Sequence, residues 1–145
     1  MLYTALTRKA MRLAYEAHHG QLDKEGMPYI FHPARVASGF TDETGACVAW
    51  LHDVVEDTGR SIADIRAAGF PEEVCRALAL LTHDKSVPYM DYVRRLSADP
   101  VAKAVKLADL RDNMDPARPS RIDAEVERRM QKYQRAYRFL IGEGD

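Results

Sequence analysis

The pair His52 and Asp53 stands inside the most apolar stretch of the chain, VAWLHDVVEDT. Ionisable side chains placed there without partners cost several kcal/mol, so something must compensate them, and a bound cation would. Successive residues on a helix lie about 100° apart, so His52 and Asp53 can reach one ion only from neighbouring edges of a groove. Other segments must complete the shell. His32, in YIFHP, and Asp109, in VKLADLRDN, are the strongest candidates, because flanking apolar residues would hold each side chain in place. Two imidazoles and two carboxylates make a mixed nitrogen and oxygen shell, suited to Mn²⁺, Fe²⁺ or Zn²⁺ rather than Ca²⁺. Taken alone, a His-Asp dipeptide is more often a hydrogen-bonded pair than a metal site. The acids that follow change that balance: Glu56 comes four residues after His52 and Asp57 four after Asp53, so each shares a helix face with its partner. Acids in a last helical turn oppose the helix dipole, and local stability gives no reason for them. A divalent ion brings the pKa of its water towards neutrality, and a nearby carboxylate can orient that water or accept its proton. Glu56 and Asp57 fit that role, and the chemistry would be metal-assisted hydrolysis.

The elements that must position these residues read as helices. Apolar residues recur at three and four rather than at two, and helix punctuation is frequent. A first helix is expected from a cap at Thr7 through Ala17, ending near Gly20, and a loop, GQLDKEGMPY, follows. Pro33 suits the first turn of a second helix. Asp42 or Thr44 would cap a third, running through Trp50, Leu51 and Val54 to about Gly59. Ser61 with Asp64 reads as a capped short helix, and Pro71 opens another through Leu81. Residues 88–97, 99–113 and 120–141 complete the set. The expected architecture is all-α, a single-domain bundle of about seven or eight helices spanning residues 1–145, with no internal repeat, low-complexity tract or linker.

Composition bounds the rest. A length of 145 residues allows about one domain, and a hydrophobic share of 46% is too high for a disordered tail. Twenty-one basic against 22 acidic residues leave a net charge of −1, so no global basic field recruits nucleic acid or an anionic membrane. No apolar run approaches the ~20 residues that span a bilayer, and MLYTALTRKAMRLAY carries charges where a signal peptide needs its apolar core. A cytoplasmic protein is expected. Cys47 and Cys75 have no CxxC neighbour and read as buried thiols. Oligomeric state is not fixed by any of these features.

Four ordered motifs, AYEAHHGQLDKEGMPYIFHPARVA, WLHDVVEDTG, LLTHDK and VKLADLRDNM, resemble the HD hydrolase domain of RelA/SpoT-type stringent-response proteins. The likeness runs over about residues 5–140 and is greatest to the small stand-alone hydrolases of the metazoan SpoT-homologue type. It implies an all-helical, Mn²⁺-dependent pyrophosphohydrolase that removes the 3′-pyrophosphate of guanosine tetra- or pentaphosphate, (p)ppGpp, to leave GDP or GTP. It implies Mn²⁺ on His32, His52, Asp53 and Asp109, with Glu56 and Asp57 activating or positioning the water. It further implies nucleotide contacts by Asn113, which could equally be a helix C-cap, and phosphate or base contacts by Lys24, Lys85, Arg129 and Tyr133. His18, in AHHGQ, matches a family position near the site, although a histidine at a helix C-terminus is also explained by the dipole alone.

One departure stands out. The family has an arginine-lysine pair after GQ, where this chain has Asp23 before Lys24. An acid there weakens phosphate attraction, and Asp23→Arg is expected to lower KM for ppGpp if guanosine polyphosphate is the substrate. The departure leaves room for a related HD phosphohydrolase acting on a different nucleotide. A helical module that binds nucleotide or protein without catalysis is the third reading, and the intact ligand set argues against it.

Overall fold

The computed structural model describes residues 1–144, and among them nine helices and no strand occur. The organising element is α3, Glu43–Leu51, in which every residue from Gly45 to Leu51 is buried. Its neighbours α1 (Ala5–Ala17), α2 (Phe31–Ser38), α6 (Glu72–Leu81) and α8 (Pro100–Asn113) pack around it. Fully burying a valine or leucine contributes ~1.5–3 kcal/mol, which explains why a helix as apolar as ACVAWL sits at the centre. Outside this layer, α9 (Ala124–Leu140) packs on α8 and α7 (Tyr89–Leu96) bridges α6 and α9. The one-turn α4 (Val54–Asp57) and α5 (Ile62–Ala67) complete the chain order between α3 and α6.

Local chemistry sets most boundaries. Helix α1 starts one turn earlier than the Thr7 expectation: Thr4 is the cap, and Thr7 closes the capping box by accepting the Thr4 N–H through its hydroxyl at 2.7 Å. Asp42, not Thr44, caps α3 by accepting the Gly45 N–H at 2.7 Å. Gly45 is required there, since a Cβ would lie 2.6 Å from Phe40 Cδ1 and 2.8 Å from the Asp42 carboxylate. Ser61 and Asp64 form the expected reciprocal cap, and Asp99 with Pro100 opens α8. The last helix begins at Ala124 rather than at 120, because Asp123 supplies its cap.

The largest difference lies in the middle of the chain. The expected single helix from 42 to 59 is two helices, broken at His52 and Asp53, and Asp53 adopts φ −105°, ψ 0°. His52 keeps helical angles, φ −59°, ψ −28°, and its ring reaches back to its own helix, donating from Nδ1 to the Ala49 carbonyl at 2.6 Å.

Candidate active site

Three separate segments deliver the polar cluster. His32 rises from the first turn of α2, His52 and Asp53 from the α3–α4 break, and Asp109 from α8, one turn before its end. Ligand atoms of all four lie within 4.8 Å of one another. His32 Nε2 is 2.9 Å from Asp109 Oδ1 and 3.6 Å from Asp53 Oδ2, while His52 Nε2 is 3.1 Å from Asp53 Oδ2 and 3.4 Å from Asp109 Oδ1. A tetrahedral ion with bonds of ~2.1 Å needs donor atoms about 3.4 Å apart, and these separations are of that size.

The two imidazoles supply an independent test of fit. His52 gives its Nδ1 proton to Ala49, and His32 gives its Nδ1 proton to Asp112 Oδ2 at 2.6 Å. Both Nε2 lone pairs therefore face each other, 3.3 Å apart. Two acceptors at that distance are satisfied by a cation or a shared proton between them, and the four residues fit a divalent ion. Burial works to raise the Asp53 pKa, but the positive charge that His52 and His32 take on when a proton fills the position between them outweighs it and holds the carboxyl to about 2. Asp109 is likewise held well below its ordinary value, burial being overcome by Lys106 and the two histidines. Both acids are available as anions.

Surrounding side chains hold this cluster. The Tyr29 hydroxyl donates a short hydrogen bond to Asp53 Oδ2. Asp109 accepts from Lys106 Nζ and from Asn113 Nδ2, each at 3.0 Å. Asp112, besides receiving His32, accepts from Arg35 Nε at 2.8 Å and Arg118 Nη1 at 3.0 Å. His18 is buried, bonded through Nδ1 to Gln21 Oε1 at 2.8 Å, and its ring packs on Tyr29. His18 thus supports the tyrosine that orients Asp53.

Glu56 and Asp57 follow immediately. Glu56 Oε1 accepts the His83 backbone N–H at 2.7 Å, which fixes its carboxylate. Burial, the Asp53 charge and the Glu56 charge push Asp57 up to about 6. A cavity of about 270 Å³ is lined by these two acids together with His52, Asp53, Asp109, Asn113 and Tyr133. A second cavity, of about 350 Å³, shares Tyr29, Asn113 and Tyr133 with it and adds Asp23, Lys24, Arg118 and Arg129.

The structure thus brings together every anticipated residue except Lys85, which is exposed and lines neither cavity. Asn113 is the last residue of α8, whereas Met114 takes the C-cap position. Lys24 and Arg129 share one carboxylate, Glu125, at 3.8 and 3.1 Å. Asp23 has work of its own: Oδ1 accepts the N–H groups of Glu25 and Met27, each at 2.9 Å, and Oδ2 faces Arg118 at 3.7 Å. Its carboxylate anchors the loop, so an arginine at 23 removes that anchor as well as adding charge. Tyr29, Lys106, Asp112, Arg118 and Lys132 were not anticipated. Lys106 and Asp112 carried a usable signal, lying three residues either side of Asp109 on one helix face.

Helices enclosing a buried His and Asp cluster that opens on an acidic cavity define an HD-type hydrolase. No family model matches the chain. It is 34% identical over 143 aligned positions to guanosine-3′,5′-bis(diphosphate) 3′-pyrophosphohydrolase MESH1 of Xenopus tropicalis, covering 89% of this chain and 79% of that protein. The Homo sapiens protein of the same name is 35% identical over 123 positions, 77% of this chain and 68% of the relative. A solved structure, described as a metazoan orthologue of SpoT that hydrolyzes ppGpp and plays a role in starvation responses, superposes with a TM-score of 0.77. That match has 25% identity over 100% of this chain and 90% of the other. The chain belongs to the MESH1 family.

Proposed function

We propose that this chain is a (p)ppGpp 3′-pyrophosphohydrolase whose residues 1–145 form one HD hydrolase domain, with Mn²⁺ held by His32, His52, Asp53 and Asp109. The observation that carries this reading is the convergence of the four donors beside the cavity that holds Glu56 and Asp57. The mixed nitrogen and oxygen donor set favours Mn²⁺ over a hard-oxygen ion such as Ca²⁺. Bound there, the ion would supply a water of lowered pKa and neutralise phosphate charge.

The chain's own residues do the remaining work. Asp57, with its pKa near 6, accepts the proton of the attacking water, and Glu56, fixed by the His83 N–H, orients that water. Asn113 and Tyr133, on the border of the two cavities, place the ribose between them. The guanosine and its 5′-diphosphate occupy the larger cavity, where Tyr133 offers a ring to the base and Lys24 and Arg129 offer charge to phosphates. Lys85 lies outside the lining of both cavities.

A second reading, an HD phosphohydrolase for a different nucleotide, is favoured by one observation: the larger cavity also carries the acids Asp23 and Glu25. Purified protein loaded with Mn²⁺ is tested against ppGpp, pppGpp, GTP, deoxynucleoside triphosphates and NADPH, with product identification. Release of pyrophosphate with GDP from ppGpp is expected. Cleavage of another nucleotide with ppGpp untouched replaces the first reading by the second.

A further inference from the structure

The cavity that holds Glu56 and Asp57 also has a cationic wall, built by Tyr89 of α7, Lys106 of α8 and Lys132 of α9. The cations near the site differ in what already occupies them. Lys106 is committed to Asp109 at 3.0 Å, and Lys24 and Arg129 are committed to Glu125. Lys132 has neither a carboxylate at ion-pair distance nor a hydrogen bond among the described residues. Its ammonium lies over the rings of Tyr89, at 4.8 Å, and Tyr133, at 5.3 Å. Burial comes first, and then Lys106, Lys24 and Arg129 all push its pKa down. Positive groups have been gathered there against their mutual repulsion. Beside Lys132, the Tyr89 hydroxyl is buried and makes no hydrogen bond of full geometry among the described residues, with Lys106 as a further charged neighbour. An ammonium with three unused donors and an unsatisfied hydroxyl on one cavity wall describe an anion site.

We propose that Lys132 and the Tyr89 hydroxyl hold the terminal phosphate of the 3′-diphosphate, the group transferred to water. This assignment rests on the reading of the chain as a (p)ppGpp 3′-pyrophosphohydrolase. The partition of cations between these two cavities supports it, since Lys24 and Arg129 line the larger and not the smaller, and Lys132 the smaller and not the larger. The smaller cavity carries Asp53, Glu56, Asp57 and Asp109, so beyond a metal ion held by the first and last of these, a diphosphate entering it gains from a cation that the acids have not engaged. In the reaction, the water oxygen bonds to the phosphorus next to the ribose and the bond from that phosphorus to O3′ breaks. Asp57 takes the water's proton and returns it to O3′, and inorganic pyrophosphate remains against Lys132 until release.

The test compares wild type with Lys132→Met, Lys132→Arg and Tyr89→Phe at fixed free Mn²⁺. Inhibition by inorganic pyrophosphate, KM for ppGpp and calorimetric binding of pyrophosphate and of GDP are measured. Loss of a charge-assisted contact predicts that Lys132→Met weakens pyrophosphate binding and raises KM about tenfold. Lys132→Arg should stay within about threefold of wild type, because the charge is retained, and Tyr89→Phe should fall between the two. GDP affinity should not change, since its diphosphate belongs to the larger cavity. Unchanged pyrophosphate affinity in Lys132→Met, or an equal loss for GDP, overturns the subsite. Should wild type cleave another nucleotide and not ppGpp, the function fails separately, and the pyrophosphate calorimetry still decides for or against Lys132. Lys132 is exposed on α9, and circular dichroism and metal content confirm that the variants are folded and loaded.

Discussion

Each side chain of the cluster has a separable duty. Asp53 contributes a charged donor that, among the described residues, Tyr29 alone hydrogen-bonds from outside the cluster, so Asp53→Ala should lose the metal altogether, as read by metal analysis after gel filtration. Glu56→Gln and Asp57→Asn should keep fold and metal while losing about 10²-fold or more in kcat. Unchanged turnover in both, at equal metal content, would remove them from the chemistry. Asp112 acts one step further out by fixing the His32 tautomer, and Asp112→Asn should weaken metal affinity about 10- to 100-fold, measured by competition with a chelating dye. The same carboxyl is held to about 2, burial being outweighed by His32 and Arg35, against an ordinary value of 3.8. Its contribution to stability is therefore complete above pH 3.8 and fades as pH falls through about 2. Acid denaturation of Asp112→Asn should lack that component. Residue types and spacing made the four donors and the two acids legible, because buried charge in an apolar helix demands an explanation. Tyr29, Asp112 and Lys132 were not legible. Their importance comes from contacts across loops and between helices, such as His32 with Asp112, that no local pattern encodes.

The helices show how punctuation and packing divide the control of structure. Caps written in serine, threonine and aspartate lie within a turn of most expected starts, and the α1 cap is Thr4, one turn before the expected Thr7. The break at His52 and Asp53 escaped detection because the apolar pattern continues through it and neither residue is a helix breaker. The chain bends there because the polar pair is worth more in the cluster than in the helix. Helix α3 offers the sharpest test of packing against propensity. Gly45→Ala should gain up to ~1 kcal/mol from helix propensity. The new methyl group collides with Phe40 and the Asp42 cap, for which ~1–3 kcal/mol of overpacking is the usual cost. A net fall in Tm is expected in thermal unfolding, and a rise would show that the cap can shift without penalty.

For the molecule as a whole, the donors join α2, the α3–α4 junction and α8, so metal and fold are linked. At 100 times its dissociation constant a ligand adds about 2.7 kcal/mol, and a domain of ~150 residues shifts ~2–4 °C per kcal/mol. Chelation should lower Tm by about 5–10 °C, reversibly on restoring Mn²⁺, whereas an unchanged Tm would mean that the native state does not retain the ion. Among the described residues, no helix is long and apolar enough to cross a membrane. Two cations that line the larger cavity, Lys24 and Arg129, are each within ion-pair distance of one acid outside its lining, Glu125. Glu125 is a resident competitor. A ligand with a single phosphate exchanges one anion for another and gains little, while a ligand with several phosphates displaces Glu125 and still has charge left to spend on the remaining cations. If the larger cavity takes phosphates as proposed, this ion pair favours ligands carrying several phosphates over those carrying one.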